Sequence, residues 1–168
     1  MPKEFENITG RAWVFGNNIN TDQIIQGKYL TLLDYKEMAK HTFEIPRPVF
    51  VSKVKPNDIV VAGRNFGGGS SREEAPSVLL QCGVGCVVAE SFARIFYRNS
   101  FNVGLPLLII PNVGKLVKDG KTVSVKLSKG TLKIEGDGAV LHGKPLPDKM
   151  MEILRAGGAV PWFKQHSH

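Results

Sequence analysis

The pattern of apolar and polar positions is clearest in the middle of the chain. Asp58 to Ala62 holds a short apolar run, IVVA, that stops at Gly63; Ser77 to Cys82 has helical spacing; Gly85 to Ala89 is again apolar and rich in valine. Short unbroken apolar runs suit strands buried on both faces, so this stretch reads strand, helix, strand. A second helix follows, in which Phe92, Ile95, Phe96 and Asn99 fall at i, i+3, i+4 and i+7 on one face while Arg94 and Arg98 point outward. Leu105 to Ile110 is another buried strand. Strands alternating with helices predict right-handed crossovers and a mainly parallel sheet with flanking helices, an α/β core.

Beyond Pro111 the period changes to two. Val123, Val125 and Leu127 alternate with Thr122, Ser124 and Lys126, and Leu132 and Ile134 alternate with Thr131 and Lys133. These are predicted half-buried antiparallel strands, joined near Lys129-Gly130 and ended by Gly136-Asp137-Gly138. A last helix is expected from Pro147 or Asp148 to the Gly157-Gly158 pair, with Met151 and Leu154 on one face. The tail with His166 and His168 is expected to fray. No internal repeat or low-complexity stretch divides the sequence, so one domain is expected over residues 1–168.

Composition narrows the class. At 168 residues, 42% hydrophobic and 22% charged, the chain is long enough for one core and balanced like a soluble globular protein. No apolar run approaches the roughly 20 residues that span a bilayer, and the start MPKEFENITG lacks the apolar stretch of a secretory signal, which predicts a cytoplasmic location. The two cysteines, Cys82 and Cys86, read as buried thiols, too few for a structural zinc site or for an iron–sulfur cluster. His41 and His142 have no partners at metal-binding spacing. The net charge of +7 is scattered, with many lysines between Lys115 and Lys149 and no basic run interleaved with aromatics, so nucleic acid is not the expected partner. A solvated basic surface, or attraction of an anionic substrate, accounts for it.

Candidate chemistry concentrates in GRNFGGGSSREEAP, between the strand ending at Ala62 and the helix beyond Pro76. A glycine-rich connection at the C-terminal end of a parallel strand lies where open α/β sheets place their sites. Gly67 to Gly69 permit backbone angles closed to other residues, and amides at a following helix N-terminus favour an anion. A phosphate loop would need lysine after the last glycine, where Ser70 stands, and a dinucleotide fingerprint would need a small residue where Arg72 stands. The structural alternative is a capping box, Ser71-x-x-Glu74 or Ser70-x-x-Glu73. Pro76 weighs against it: with Ser71 as cap it would be the fifth helical residue, beyond the first turn where proline is tolerated. A helix start nearer Glu73 or Glu74 leaves Ser70, Ser71 and Arg72 free to face a ligand.

This loop is similar to the Gly-Ser-Ser-Arg-Glu segment of the swivelling domain of aconitases and isopropylmalate isomerases. The segment from Asn17 to Leu30, with NINTDQIIQGKYL, resembles the family's Thr-Asp motif, and ESFARIFYRNSFNVGLPLL, from Glu90 to Leu108, resembles its third motif. The resemblance implies a swivelling β/β/α domain and a free-standing small subunit. A larger partner subunit would carry a four-iron four-sulfur cluster whose iron binds the departing hydroxyl as a Lewis acid. It implies Ser70 as the base that removes a proton from carbon, and Arg72, Ser71 and the Gly69 amide as holders of a substrate carboxylate. Asp22, with Thr21, would orient Arg72 or the serine loop.

The sequence departs from the family pattern at informative places. Glu74 stands where histidine is common, and Gly68 where many bacterial relatives have cysteine. Relatives that handle tricarboxylates carry an arginine beyond the Thr-Asp motif; here Tyr29-Leu30 is followed by Thr31-Leu32-Leu33-Asp34, and no arginine occurs between Arg11 and Arg47. Thr31 and Leu32 would suit a branched alkyl group and leave a third carboxylate unpaired, at a cost of several kcal/mol if buried. The expected activity is therefore isomerisation of a dicarboxylic isopropylmalate by dehydration and rehydration, in leucine biosynthesis, with methyl-substituted malates as further substrates. A homoaconitase-type subunit is the alternative within the family. A non-catalytic anion- or phosphate-binding module, which would bind its ligand without a partner, is the alternative of another class.

Overall fold

The structure is a computed structural model that describes residues 7–167. Among these, β1 (Ile8–Val14), β2 (Ile59–Ala62), β3 (Cys86–Ala89), β4 (Leu107–Ile109), β5 (Thr122–Lys126), β6 (Thr131–Ile134) and β7 (Val140–His142) form one seven-stranded sheet in the order β4-β3-β2-β1-β5-β6-β7. β1 joins its two halves. Ala12 to Val14 pair in parallel with Ile59 to Val61, and Ile8 to Arg11 pair antiparallel with Val125 to Thr122. β2, β3 and β4 continue the parallel half, and β5, β6 and β7 the antiparallel half. Every residue of β2 and β3 is buried, which is why each reads as an unbroken apolar run. β5 and β6 bury alternate residues and face solvent on the other side, hence their period of two.

Two elements lie outside the sequence expectation. β1 mixes Thr9, Gly10 and Arg11 into its length, because its first half has one solvated face while its second half is core, so neither apolar template fits it. At Gly136-Asp137-Gly138 the chain does not leave the sheet but reverses into β7, whose three residues are exposed or half-buried and carry little hydrophobic signal.

The crossovers are helical: α1 (Thr21–Ile24), α2 (Tyr35–Ala39) and α3 (Phe50–Lys53) lie between β1 and β2, α4 (Glu74–Gln81) between β2 and β3, and α5 (Arg94–Val103) between β3 and β4. α4 starts at Glu74, so Pro76 is its third residue, in the first turn where its missing N–H needs no partner. No side chain caps it, and Ser70, Ser71 and Arg72 stay outside the helix. α5 ends at Gly104 in the left-handed conformation. Phe96 and Asn99 face inward as expected, but Ile95 is 47% exposed. It lies in the first turn of α5 at the margin of the apolar face, over a cavity rather than the core.

A short α6 (Val113–Leu116) packs on β2 and β3. α7 (Asp148–Arg155) follows Pro147 and buries Met151 and Leu154. The expected frayed tail is instead α8 (Ala159–His166), packed on α5 and α7. The glycine pair turns the chain rather than ending the structure. Trp162 stacks on His166 at 4.2 Å, and Nδ1 of His166 lies 2.8 Å from the Trp162 carbonyl. His168 lies outside the described residues.

The core beneath β1 is aromatic, with Trp13 and Phe43 each edge-on to Phe50 at 5.0 Å. Buried Asp58 anchors it, accepting from the Trp13 indole at 2.9 Å and from the backbone N–H groups of Arg11 and Lys55 at 3.1 and 3.0 Å. Cys86 is buried and Cys82 half-buried, both as free thiols; loss of hydration pushes both thiols up, so they stay protonated. His41 stacks on Tyr29 at 3.7 Å, with Nδ1 2.6 Å from Glu44. Among the described residues, no helix is long and apolar enough to cross a membrane.

Candidate active site

The three sequence motifs meet beyond the C-terminal ends of β1, β2 and β3. There the backbone continues a parallel ladder past the regular strands. Asn18 N–H donates to the Arg64 carbonyl at 2.8 Å, Gly67 N–H to Ile19 at 2.7 Å, and Thr21 N–H to Gly68 at 2.9 Å. On the other side Phe66 N–H donates to Ser91 at 3.1 Å and Ala93 N–H to Phe66 at 3.0 Å. Side chains close the remaining gaps: Asn17 Oδ1 accepts from Arg64 N–H and Ser91 Oγ from Asn65 N–H, each at 2.8 Å. The glycine loop is thus clamped between the first motif and the third.

Gly67 has φ +86° and Gly69 φ +89°, both in the left-handed region. Gly67 also packs on the Cβ–Cγ stem of Phe96 in α5, where an added Cβ would come within 2.2 Å of Cγ. Conformation and space both require glycine there. The bend carries the chain outward, leaving Ser70 and Ser71 exposed, and the Thr21 hydroxyl holds the Ser70 carbonyl at 2.8 Å.

Arg72 then turns back under the loop. Its side chain is only 16% exposed, and Nη1 donates to Asp22 Oδ1 at 3.0 Å and to the Ile25 carbonyl at 2.7 Å. Asp22 is held in place by α1, whose N-terminus is a capping box: Asn20 Oδ1 accepts from Gln23 N–H and Gln23 Oε1 from Asn20 N–H, each at 2.9 Å. The bond from Arg72, and after it the Gly27 N–H at 3.2 Å, holds the Asp22 carboxyl below the usual carboxylate range. Among the described residues, Nε and Nη2 of Arg72 have no hydrogen-bond partner, so a donor edge remains for an anion.

These residues enclose a cavity of about 260 Å³. Thr21, Gly67, Gly69, Ser70, Ser71 and Arg72 form one wall, and Ala93, Arg94, Ile95, Phe96 and Asn99 of the third motif form the other. Asp22 supports Arg72 from outside the cavity. Thr31 and Leu32 are not among the lining residues; they sit on an exposed turn after the 3₁₀ turn Gly27–Tyr29, where Leu33 is fully exposed. Sequence reasoning missed Arg94 and gave Ile95 and Asn99 to the core. Their place directly after the SFA stretch that zips onto the glycine loop was the available signal, but helical periodicity alone cannot tell a core-facing from a cavity-facing position.

Ser70, Ser71 and Arg72 thus share one cavity wall, on a glycine loop with left-handed turns at the C-terminal edge of a parallel sheet. The aconitase C-terminal domain family matches residues 1–112, and the chain belongs to that family. It is 53% identical to 3-isopropylmalate dehydratase small subunit 1 of Methanopyrus kandleri, over 94% of this chain and 93% of the relative. It is 49% identical to the isopropylmalate/citramalate isomerase small subunit of Methanocaldococcus jannaschii, over 94% of each. The crystal structure of a 3-isopropylmalate dehydratase from the same organism superposes with a TM-score of 0.90 and 42% identity, covering 95% of each chain. Among the described residues, no group of three or more His, Cys, Asp or Glu is placed to hold a metal ion.

Proposed function

We propose that this chain is the small subunit of a 3-isopropylmalate dehydratase, a hydro-lyase that interconverts 2- and 3-isopropylmalate through a dehydrated intermediate in leucine biosynthesis. The observation that carries the reading is the convergence of Ser70, Ser71 and Arg72 on one cavity, held by Thr21 and Asp22, in a chain that such a relative matches over 94% of its length. The residues of this chain do not fit a four-iron four-sulfur cluster, since Cys86 is sealed in the sheet and Cys82 is packed against Ala39 and Thr42. In this reading the cluster belongs to a larger partner subunit, and the small subunit does not turn over substrate alone.

The part played by this chain follows from its own atoms. Ser70 is the base that takes a carbon-bound proton next to a substrate carboxylate. A serine hydroxyl gives up its proton only far above neutral pH, so its surroundings must stabilise the anion; the Gly69–Ser71 backbone amides and the fixed Arg72 charge serve that purpose once water is excluded. Arg72, fixed by Asp22 and Ile25 through Nη1, offers its free edge to a carboxylate, and the Ser71 hydroxyl adds a donor. Because Thr21 holds the Ser70 carbonyl, the loop keeps its shape when the side chain reacts.

Substrate choice is assigned to the exposed turn of Thr31 and Leu32. It begins two residues after the 3₁₀ turn whose Gly27 lies against Arg72, where a Cβ would be 3.3 Å from Nη2. A turn that follows the carboxylate clamp and carries Leu32 and Leu33 with no cation at 31–33 suits an alkyl group better than a third carboxylate. Citramalate, the methyl-bearing substrate in the name of the Methanocaldococcus jannaschii relative, fits the same turn. The test is to reconstitute the chain with its large subunit and assay isopropylmalate, citramalate and homoaconitate. Preference for isopropylmalate is the expected result, and preference for homoaconitate would overturn the assignment of Thr31 and Leu32.

A further inference from the structure

We propose that Asn99 of α5 is a substrate-binding residue whose carboxamide Nδ2 donates a hydrogen bond to a carboxylate of the bound dicarboxylate; this rests on the dicarboxylate reading of the site above. Asn99 is 9% exposed and lines the cavity together with Ser70 and Arg72. Among the described residues its side chain has no hydrogen-bond partner, and its polar atoms are not fully buried, so the carboxamide reaches solvent. A carboxamide brings two donors and an acceptor, and with no protein partner they are open to a ligand that displaces water. Helix α5 offers a simpler solution for a residue whose only task is packing: Phe96, one turn earlier, fills the same face with a ring. The amide is set one helical turn beyond Ile95, which is itself half-exposed over the cavity, and Asn99 also borders a neighbouring cavity with Glu73 and Ser77; of the two, the one beside Arg72 offers the anion site.

The chemistry of the walls favours a carboxylate as that ligand. Arg72 reaches the cavity from the glycine loop, and Arg94, exposed at its rim, adds a second cation on the helix side. A dicarboxylate held by Arg72 at one end presents its second carboxylate toward α5. A neutral donor there fixes orientation without adding a charge whose burial would have to be compensated. Ile95, four residues before Asn99, then lies on the same helix face beside the substrate carbon chain.

The test uses the complex reconstituted with the large subunit. Asn99→Ala is expected to raise KM for isopropylmalate at least about 10-fold, with kcat changed by less than about 3-fold. It should weaken competitive inhibition by malate, a small dicarboxylate probe, by the same factor. Asn99→Asp, which keeps the shape and turns a donor into a like charge, should weaken both further while leaving the thermal midpoint and complex assembly unchanged. Unchanged KM and malate inhibition in either folded variant would overturn the assignment, as would a loss confined to stability or assembly. If the wild-type complex fails on both isopropylmalates, the substrate reading falls, and Asn99 is judged by whether Asn99→Asp weakens malate binding measured by calorimetry.

Discussion

Asp22 Oδ1 stands 3.0 Å from Nη1 of Arg72, joining the first motif to the third residue of the Ser-Ser-Arg sequence across 50 positions of chain. The pair is asymmetric: Arg72 is largely buried and Asp22 is 63% exposed. Its value is therefore positional, since an exposed ion pair adds little stability. Asp22→Asn should leave the denaturation midpoint unchanged and raise KM for the dicarboxylate about 3- to 10-fold as Arg72 loses its fixed direction. Steady-state kinetics beside a thermal melt checks both halves.

The same pair sets a pH expectation. Arg72, with Gly27 second, holds the Asp22 carboxyl below its ordinary value of 3.8. A depressed carboxyl makes its contribution fully above the unfolded value and loses it only as pH falls through the lower, folded value. Asp22 thus stays ionised throughout the range above pH 5, and the pH profiles of wild type and Asp22→Asn should run parallel there. An acid limb near neutrality that vanishes in the variant would contradict this.

Gly67 is predicted to tolerate no side chain. An alanine Cβ would lie 2.2 Å from the Phe96 ring at a φ of +86°. Gly67→Ala should cost roughly 2–5 kcal/mol and displace the serine loop. Phe96→Ala removes Cγ and the ring and keeps only Cβ, so in a double-mutant cycle the cost of Gly67→Ala should be smaller in the Phe96→Ala background; an equal cost in both backgrounds would show that backbone conformation alone is responsible.

Much of this arrangement was legible in the residues. Pro76 located the start of α4 because a proline ring is compatible only with the first turn, and that placed Ser70 to Arg72 in the loop. The buried runs of β2 and β3 and the alternation in β5 and β6 followed from which faces meet water. What stayed hidden depends on contacts distant in sequence. β1 changes partner halfway along its length, α8 owes its order to α5 and α7, and Ile95 and Asn99 share the spacing of core residues while facing a cavity. The exposed turn of Thr31 and Leu32 was assigned to substrate from what the sequence lacks there, an arginine, and in the isolated chain it stands apart from the cavity.

Asp58 carries a prediction independent of the site. Its buried carboxylate accepts from Trp13 and from two backbone amides where β1 meets β2. Asp58→Ala strands three donors, one of them the indole of a fully buried tryptophan, and should lower stability by about 2–4 kcal/mol. Chemical denaturation followed by Trp fluorescence measures it, and a cost under about 0.5 kcal/mol would mean that water replaces the carboxylate.

The role proposed for Ser70 is tested most directly by Ser70→Ala in the complex reconstituted with the large subunit. With the iron–sulfur cluster proposed for that subunit verified intact by its absorption, turnover of isopropylmalate should fall about 100- to 10,000-fold while KM changes little. Turnover within about 3-fold of wild type under the same conditions would contradict the assignment of Ser70 as the base.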